Sequence, residues 1–262
     1  MALTAAIDHA FEMRLLAYPA LFAVLTGCIY VPTNESPRRG QAWRASAGSV
    51  RPPDWTSIGM SVEGRPIRYR TVGTGLRQVL WIGGIHGNEV AGTVATRELV
   101  PTVLTSRTLR QQVTLHMVKD MNPDGRAANR RTNSRGVDLN RDFPASNRRN
   151  GGGLSQPESR AIHDLIRRIR PDLIIVAHSW GGRYFINYDG PALAYAQRFS
   201  QLSQFPLVPS SDINATPGSM GSWCGIDMSI PILTLEWEKG TPPDDAWATT
   251  RSAILAVIAG DV

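Results

Sequence analysis

The stretch VLWIGGIHGNE, residues 79–89, joins a continuous apolar run to two glycines and a polar segment that contains a histidine and a glutamate. An apolar run of this length, Val79–Ile82, is typical of a strand that is buried on both faces. The glycines favour a turn, and residues 86–100 have the pattern of a helix. The sequence therefore predicts a strand, a turn and a helix in succession.

Further elements of the same kind follow along the chain. Apolar runs predict strands at 113–118, 173–177 and 232–237, and helical patterns predict helices at 157–168, 191–205 and 244–258. Ser155 and Glu158 have the spacing of a capping box at the start of the first of these helices, with Pro157 early in it. Alternating strands and helices indicate an α/β sandwich with a mixed, largely parallel central sheet flanked by helices.

The composition fits one globular domain. The chain has 262 residues, of which 42% are hydrophobic and 19% charged, and this is enough to bury one sizeable core. Its formal net charge of +6 comes almost wholly from arginine. Such a charge suits nucleic acid, an anionic surface or a substrate with carboxylates, so the positions of the arginines must decide between them.

Many of the arginines are concentrated in one long polar segment after the strand 113–118. They are Arg126, Arg130, Arg131, Arg135, Arg141, Arg148 and Arg149. A structureless loop of this length inside a compact domain is usually functional, although a solvated surface also explains most of these side chains. Nucleic-acid binding would need interleaved aromatic residues, and Phe143 is the only one in the stretch. We therefore expect no nucleic-acid partner.

The N-terminal region has the pattern of a bacterial lipoprotein signal. Met13 and the arginine after it precede an apolar run, residues 15–25, that is too short to span a bilayer. The run leads into the motif LTGC, which resembles a lipobox, so we predict that Cys28 is lipidated and anchors the protein to a membrane. Because residues 1–12 contain acidic side chains, Met13 is the predicted start. An apolar helix with a chance cysteine is the alternative.

These features divide the chain into three parts. Residues 1–28 are predicted to be the signal segment, residues 29–53 a tether rich in Pro, Arg, Ser and Gly, and residues 54–262 the folded domain. The predicted location is the periplasm of a bacterial envelope, as a membrane-anchored lipoprotein. Cys224, the remaining thiol of the mature chain, is predicted to be a buried structural cysteine.

Three residues have the chemistry and placement of a metal site. His86 and Glu89 lie three residues apart at the predicted helix start, and His178 follows the strand 173–177. In open α/β sheets, sites form at the edge where the strands have their carboxyl ends. Two histidines and one glutamate are a catalytic zinc set that leaves a fourth position for water. Taken singly, each histidine could instead be a hydrogen-bonded structural residue, and Glu89 could cap the helix.

Several motifs occur in an order that points to one family. They are GGIHGNE, NPDG, GVDLNRDFP, the strand-end His178 and TLE. Over residues 58–245 the chain resembles the metallocarboxypeptidase family of carboxypeptidase A. Within it, TPGSMGSWC is similar to the stretch in murein peptide amidases, which cleave the γ-D-glutamyl to meso-diaminopimelate bond of cell-wall peptides. The resemblance implies a zinc metallopeptidase with one Zn²⁺ per chain that hydrolyses a peptidoglycan peptide in the cell envelope.

The resemblance also implies which residues form the metal centre. His86, Glu89 and His178 match the zinc ligands of the family. Asp138, in GVDLNR, matches the carboxylate that orients a ligand histidine and fixes its tautomer. Residues 54–262 would then be the catalytic domain, and we expect it to be a monomer.

Other matched positions concern the substrate and the reaction. Asn140 and Arg141 match the pair that binds the terminal carboxylate of the substrate, a task that suits the planar guanidinium of arginine. Arg131 matches the arginine that stabilises the oxyanion. The period of a strand places Glu236 and Glu238 on the same face, and the sequence alone does not choose between them. The family position for the general base corresponds to Glu236.

One departure and two alternative functions accompany this interpretation. Asn214 stands in a segment where related enzymes have a tyrosine, so the side-chain specificity is left open.

An N-acyl amino acid deacylase of the aspartoacylase or succinylglutamate desuccinylase type shares an HGNE-like start, but such enzymes have a further β domain and only 26 residues follow Glu236 here. A non-catalytic lipoprotein that binds cell-wall peptides is the second alternative.

Overall fold

The computed structural model describes residues 54–148, 151–210, 213 and 216–262, which are arranged around an eight-stranded sheet. The strands are β1 (Thr56–Met60), β2 (Pro66–Val72), β3 (Arg77–Ile82), β4 (Val113–Val118), β5 (Leu173–Trp180), β6 (Phe185–Asp189), β7 (Leu207–Pro209) and β8 (Ile232–Glu238). Their order across the sheet is β1-β2-β4-β3-β5-β8-β6-β7.

The centre of the sheet is parallel and its flanks are partly antiparallel. Strands β4, β3, β5 and β8 run in the same direction, so their carboxyl ends lie at one edge. On one flank β1 and β2 add antiparallel pairs, and on the other β6 is antiparallel to β8 and parallel to β7. The prediction of a mixed, largely parallel sheet is confirmed.

Helices cover both faces of this sheet. They are α1 (Ala91–Thr105), α2 (Arg107–Gln112), α3 (Pro123–Ala127), α4 (Pro157–Ile169), α5 (Leu193–Ser203) and α6 (Pro243–Ala259). Buried residues of α1, α2, α5 and α6 pack in one apolar cluster. Those of α4 pack in a second cluster on the opposite face. The sheet is therefore the middle layer of an α/β sandwich.

The apolar run that opened the sequence argument is explained by these two clusters. Val79 and Trp81 belong to the first cluster, whereas Leu80 and Ile82 belong to the second. All four side chains have no exposed surface. Because alternate residues of a strand point to opposite faces, a strand covered on both sides must be apolar throughout.

Several element boundaries differ from the sequence prediction. The helix predicted from residue 86 begins only at Ala91, so His86 and Glu89 lie in the loop before α1. His178 lies inside β5 rather than after it, because pairing with β8 continues to Trp180. Strands β1, β2, β6 and β7 were not predicted, since their mixed polar and apolar residues resemble loops. They are the two outer strands on each side of the sheet, with β1 and β7 at its edges.

The capping box predicted before α4 is wrong. The residue that precedes the helix is Gln156, whose side chain makes no capping hydrogen bond. The Ser155 hydroxyl donates to Asp142 Oδ1 at 2.8 Å, and Glu158 Oε1 accepts from the backbone N–H of Val62 at 3.1 Å. The long loop before this helix is also not structureless, since it contains α3 and a 3₁₀ turn at Leu139–Arg141.

Some of the sequence predictions fall on other parts of the chain. The signal segment, Cys28 and the tether lie outside the described residues, as does Asn214. Cys224 is free and fully buried, as predicted. Among the residues that the structure describes, no helix has the length and hydropathy of a membrane span.

Candidate active site

The central parallel strands bring the predicted metal ligands together. His86 and Glu89 follow β3, and His178 lies near the end of β5, which is the neighbour of β3. Strand β8 lies next to β5 and places Glu236 directly beside His178 in the register. All four residues thus meet at the carboxyl edge of the sheet, where open α/β sheets form their sites.

Gly87, between His86 and Glu89, allows the loop after β3 to pack closely against a second loop. A Cβ atom at Gly87 would lie 1.9 Å from the carbonyl carbon of Gly125, so no side chain fits there. The loop of Gly125 is held in turn by Asn122, whose side-chain oxygen accepts from the Gly125 N–H at 2.8 Å. The motifs HGNE and NPDG therefore form one packed unit that fixes the positions of His86 and Glu89.

The three predicted ligands converge tightly. His86 Nδ1 lies 2.8 Å from Glu89 Oε1, and His178 Nδ1 lies 2.9 Å from Glu89 Oε2. The two Nδ1 atoms are 3.1 Å apart, and all three side chains are buried. Within the described part of the chain, these residues are the one group of His, Cys, Asp and Glu side chains whose geometry could hold a metal ion.

The donor set fits zinc. Two imidazole nitrogens and one carboxylate oxygen lie within 4.8 Å of one another, and three protein ligands are the number that catalytic zinc sites use. Burial raises the pKa of Glu89, but the neighbouring His178 and His86 lower it more strongly. Glu89 is therefore an anion at neutral pH, as a metal ligand must be.

Asp138 contacts a ligand histidine from the side that faces away from the other ligands. Its Oδ1 lies 3.1 Å from His86 Nε2, and its Oδ2 accepts from Arg131, with Nη2 at 3.0 Å. Burial raises the pKa of Asp138, but the hydrogen bond with His86 and the nearby arginines bring it well below its usual range. An ionised Asp138 holds the proton of His86 on Nε2, which leaves Nδ1 free to bind a metal.

Glu236 faces the same cavity as the ligands, and Glu238 does not. Burial raises the pKa of Glu236 to about 7, against the lowering effect of His178. A carboxyl group with a pKa near neutrality is suited to accept and return a proton. Glu238, two residues further along β8, is exposed to solvent. The structure thus distinguishes two glutamates that the strand period left equivalent, and it places in the cavity the one to which the family resemblance assigned the base.

The predicted substrate-binding residues also line this cavity. Arg131 is about half exposed at its mouth, with Nη1 3.6 Å from Glu89 Oε1. Asn140 accepts a hydrogen bond from the backbone N–H of Met220 at 3.0 Å, and Arg141 donates to the Asn140 carbonyl at 2.7 Å. These contacts hold the amide of Asn140 and the guanidinium of Arg141 at the wall of the cavity.

The cavity measures about 460 Å³, a size that suits a short peptide end. Its lining contains every predicted metal, base and substrate residue: His86, Glu89, His178, Glu236, Arg131, Asn140 and Arg141. Sequence reasoning missed Asp189 and Asn187, which reach the cavity from β6. The alternation in FINYD was a possible signal for this strand, but it did not indicate which face meets the cavity.

The fold and the site together define a zinc peptidase of the carboxypeptidase type. The chain belongs to the zinc carboxypeptidase family, whose model matches residues 53–220. It is therefore a zinc-dependent hydrolase.

Individual relatives agree with this assignment. The chain is 31% identical to murein peptide amidase A of Escherichia coli K12 over 227 residues, which cover 74% of this chain and 85% of the relative. The crystal structure of a murein-tripeptide amidase from Escherichia coli O157 is similar, with a TM-score of 0.62 and 28% identity over 79% of this chain and 92% of the other. A carboxypeptidase A from Helicoverpa armigera shares the fold, with a TM-score of 0.65 and 20% identity over 80% and 69% of the two chains.

Proposed function

We propose that this enzyme hydrolyses the amide bond next to the C-terminal residue of peptidoglycan peptides. The bond that it cleaves joins γ-D-glutamate to meso-diaminopimelate. The similarity to murein peptide amidase A supports the substrate class. The cavity supports diaminopimelate as the released residue, because its lining contains cationic side chains that can bind a carboxylate and an anionic one that can bind an ammonium. The observation that carries the proposal is the placement of Asp189.

Asp189 is a partly buried carboxylate in the wall of the catalytic cavity. Burial raises its pKa, which the hydrogen bond from Ser210 only partly offsets. Asp189 has no ion-pair partner among the described residues. A Cβ atom at Gly221 would lie 2.4 Å from Asp189 Oδ2, so the carboxylate packs directly against the backbone of this glycine. A desolvated carboxylate of this kind is stabilised by a cation, and the distal ammonium of a diamino acid would supply one.

The proposed binding mode uses charges at two places in the cavity. Arg141, with the amide of Asn140, binds the carboxylate next to the scissile bond through charge-assisted hydrogen bonds. Asp189 pairs with the ammonium at the other end of the diaminopimelate side chain. Two fixed charges set the position of the substrate before the reaction begins, which reduces the entropy lost in reaching the transition state.

The proposed chemistry divides between the metal site and two side chains. His86, Glu89 and His178 would hold a zinc ion, which would supply Lewis-acid polarisation and lower the pKa of the attacking water. Glu236 accepts the proton of the attacking water and returns it to the leaving amine of diaminopimelate. Arg131 stabilises the negative charge that grows on the carbonyl oxygen, and Asp138 holds Arg131 and His86 in place.

The experiment compares substrates that differ in the last residue. We expect the enzyme to release diaminopimelate from L-Ala-γ-D-Glu-meso-diaminopimelate only when zinc is present. Mass spectrometry of the products measures this release. Asp189→Asn should lower kcat/KM for this peptide by about ten- to a hundredfold, because a hydrogen bond to a charged group contributes roughly 1.5–3 kcal/mol. The same variant should cleave a peptide that ends in alanine as well as the wild type does.

The matched control is Asp164→Asn, since Asp164 is exposed on α4 and lies away from the cavity. This variant should behave as the wild type with both peptides. An equal loss for both peptides in Asp189→Asn would mean that Asp189 is structural. If zinc-loaded wild type releases no diaminopimelate, the proposed function itself is contradicted.

We also propose that the enzyme works in the periplasm as a lipoprotein anchored at Cys28. The LTGC motif and the apolar run before it support this location. Membrane-fraction protein should have a mature N-terminus at a lipidated Cys28 in intact-mass measurements, and Cys28→Ala should abolish the added mass. Recovery of a chain that still contains residues 1–12, with a free Cys28 thiol, would contradict the proposal.

A further inference from the structure

A second cavity, of about 400 Å³, lies outside the catalytic one. We call it the basic groove, and it is lined by Trp55, Arg70, Thr93, Arg97, Lys119 and Arg126, together with two valines. None of these residues lines the catalytic cavity. Four cationic side chains in one groove raise the question of which negative charges already compensate them.

Two of the cations have carboxylate partners. Arg97 Nε lies 2.9 Å from Glu98 and Arg97 Nη2 lies 3.4 Å from Asp244. Arg126 Nε lies 4.0 Å from Asp120, which also accepts a hydrogen bond from Thr93. Arg97 and Arg126 are therefore at least partly neutralised within the protein.

The other two cations, Arg70 and Lys119, have no carboxylate partner among the described residues. The Nε atom of Arg70 is buried without a hydrogen-bond partner, and its guanidinium lies 5.9 Å from the centre of the Trp55 ring. Leaving a buried charged donor unsatisfied is costly, and native structures rarely do so without a ligand or another reason. Lys119 is exposed at the same groove.

We infer that the basic groove binds a phosphate group. A guanidinium and an ammonium present several donors to the oxygens of a tetrahedral anion, and arginine is favoured for this task by its planar fork. Trp55 holds the guanidinium of Arg70 from one side by a cation–π contact, which limits its conformations. The phosphate can belong to a soluble phosphate ester or to a lipid headgroup, since both present the same oxygens. The inference does not depend on the proposed peptide substrate.

The test measures phosphate binding, not hydrolysis. Inorganic phosphate is titrated into the purified protein by calorimetry, with chloride at matched ionic strength to remove general screening effects. Vesicles of phosphatidylcholine with and without phosphatidylglycerol are the second probe. We expect saturable binding that Arg70→Gln and Lys119→Gln each weaken by about tenfold or more, which corresponds to roughly 1.4 kcal/mol.

Arg167→Gln is the matched control, because Arg167 is exposed on α4 and outside the groove. Arg70→Gln could lose binding because it misfolds, whereas Lys119 is exposed and its replacement should leave the fold intact. Lys119→Gln therefore tests the groove independently of folding. Phosphate binding that depends on Arg70 and Lys119 supports a soluble ligand, and binding only of phosphatidylglycerol vesicles with that dependence supports a headgroup. The inference is overturned if neither probe binds, or if the groove variants bind as Arg167→Gln does.

Discussion

Glu236→Gln should reduce kcat by about two to four decades, the usual contribution of a positioned general base. Glutamine keeps the size and the hydrogen-bonding shape of the side chain but cannot accept the proton of the attacking water. Because Glu236 is not one of the three converging ligands, the zinc content should stay at the wild-type value. Metal analysis and steady-state kinetics on the same sample measure both quantities.

Glu238→Gln provides a control in the same strand. It is the same chemical change two residues away, at an exposed position outside the cavity. We expect activity close to that of the wild type. A large loss in Glu238→Gln together with an active Glu236→Gln would reverse the assignment of the base. Loss of zinc in Glu236→Gln would show that its effect comes through the metal site.

His178→Ala should remove bound zinc and with it essentially all peptide hydrolysis. Two ligands remain in this variant, and a catalytic zinc site normally needs three from the protein. Zinc also stabilises the folded state, by roughly 4 kcal/mol when its free concentration is about a thousand times Kd. Wild-type Tm should therefore fall when a chelator is added, whereas the Tm of His178→Ala should not change.

His163→Gln is the matched histidine control, since His163 lies on α4 and contacts Asp164 and the Trp223 ring rather than the ligands. It should retain zinc and the response to the chelator. If His178→Ala binds zinc as tightly as this control, His178 is not a ligand and the metal centre must be assigned differently. Zinc content also tests the prediction of one ion per chain.

The sequence predicted the centre of the fold better than its edges. Strand β4 has the predicted bounds, and α4 ends within a residue of its prediction. Such central elements are apolar on both faces or strongly amphipathic, so their pattern is local. The two outer strands on each side of the sheet, β1, β2, β6 and β7, carry mixed residues that gain strand structure only by pairing with a neighbour. Their pattern alone therefore resembles a loop.

The site shows the same division. His86 and Glu89 are close in sequence, and the strand pattern places His178 at the same sheet edge. Asp189, in contrast, reaches the cavity because β6 pairs antiparallel with β8, which places Asp189 beside Ile232 and Phe185 beside Glu236. No local spacing relates Asp189 to the ligands, so sequence reasoning had no means of placing it in the substrate cavity.

By itself the sequence determined the α/β class, the central strands and the set of side chains that could form a zinc centre. Residue types and short-range periods carry this information, because burial on two faces and ligand chemistry leave local patterns. Only the tertiary structure decided that Glu236 rather than Glu238 lines the cavity of the ligands, that Asp189 shares this cavity, and that the Nε atom of Arg70 has no hydrogen-bond partner among the described residues. Those outcomes depend on burial and on the pairing of distant segments, which are properties of the packed chain.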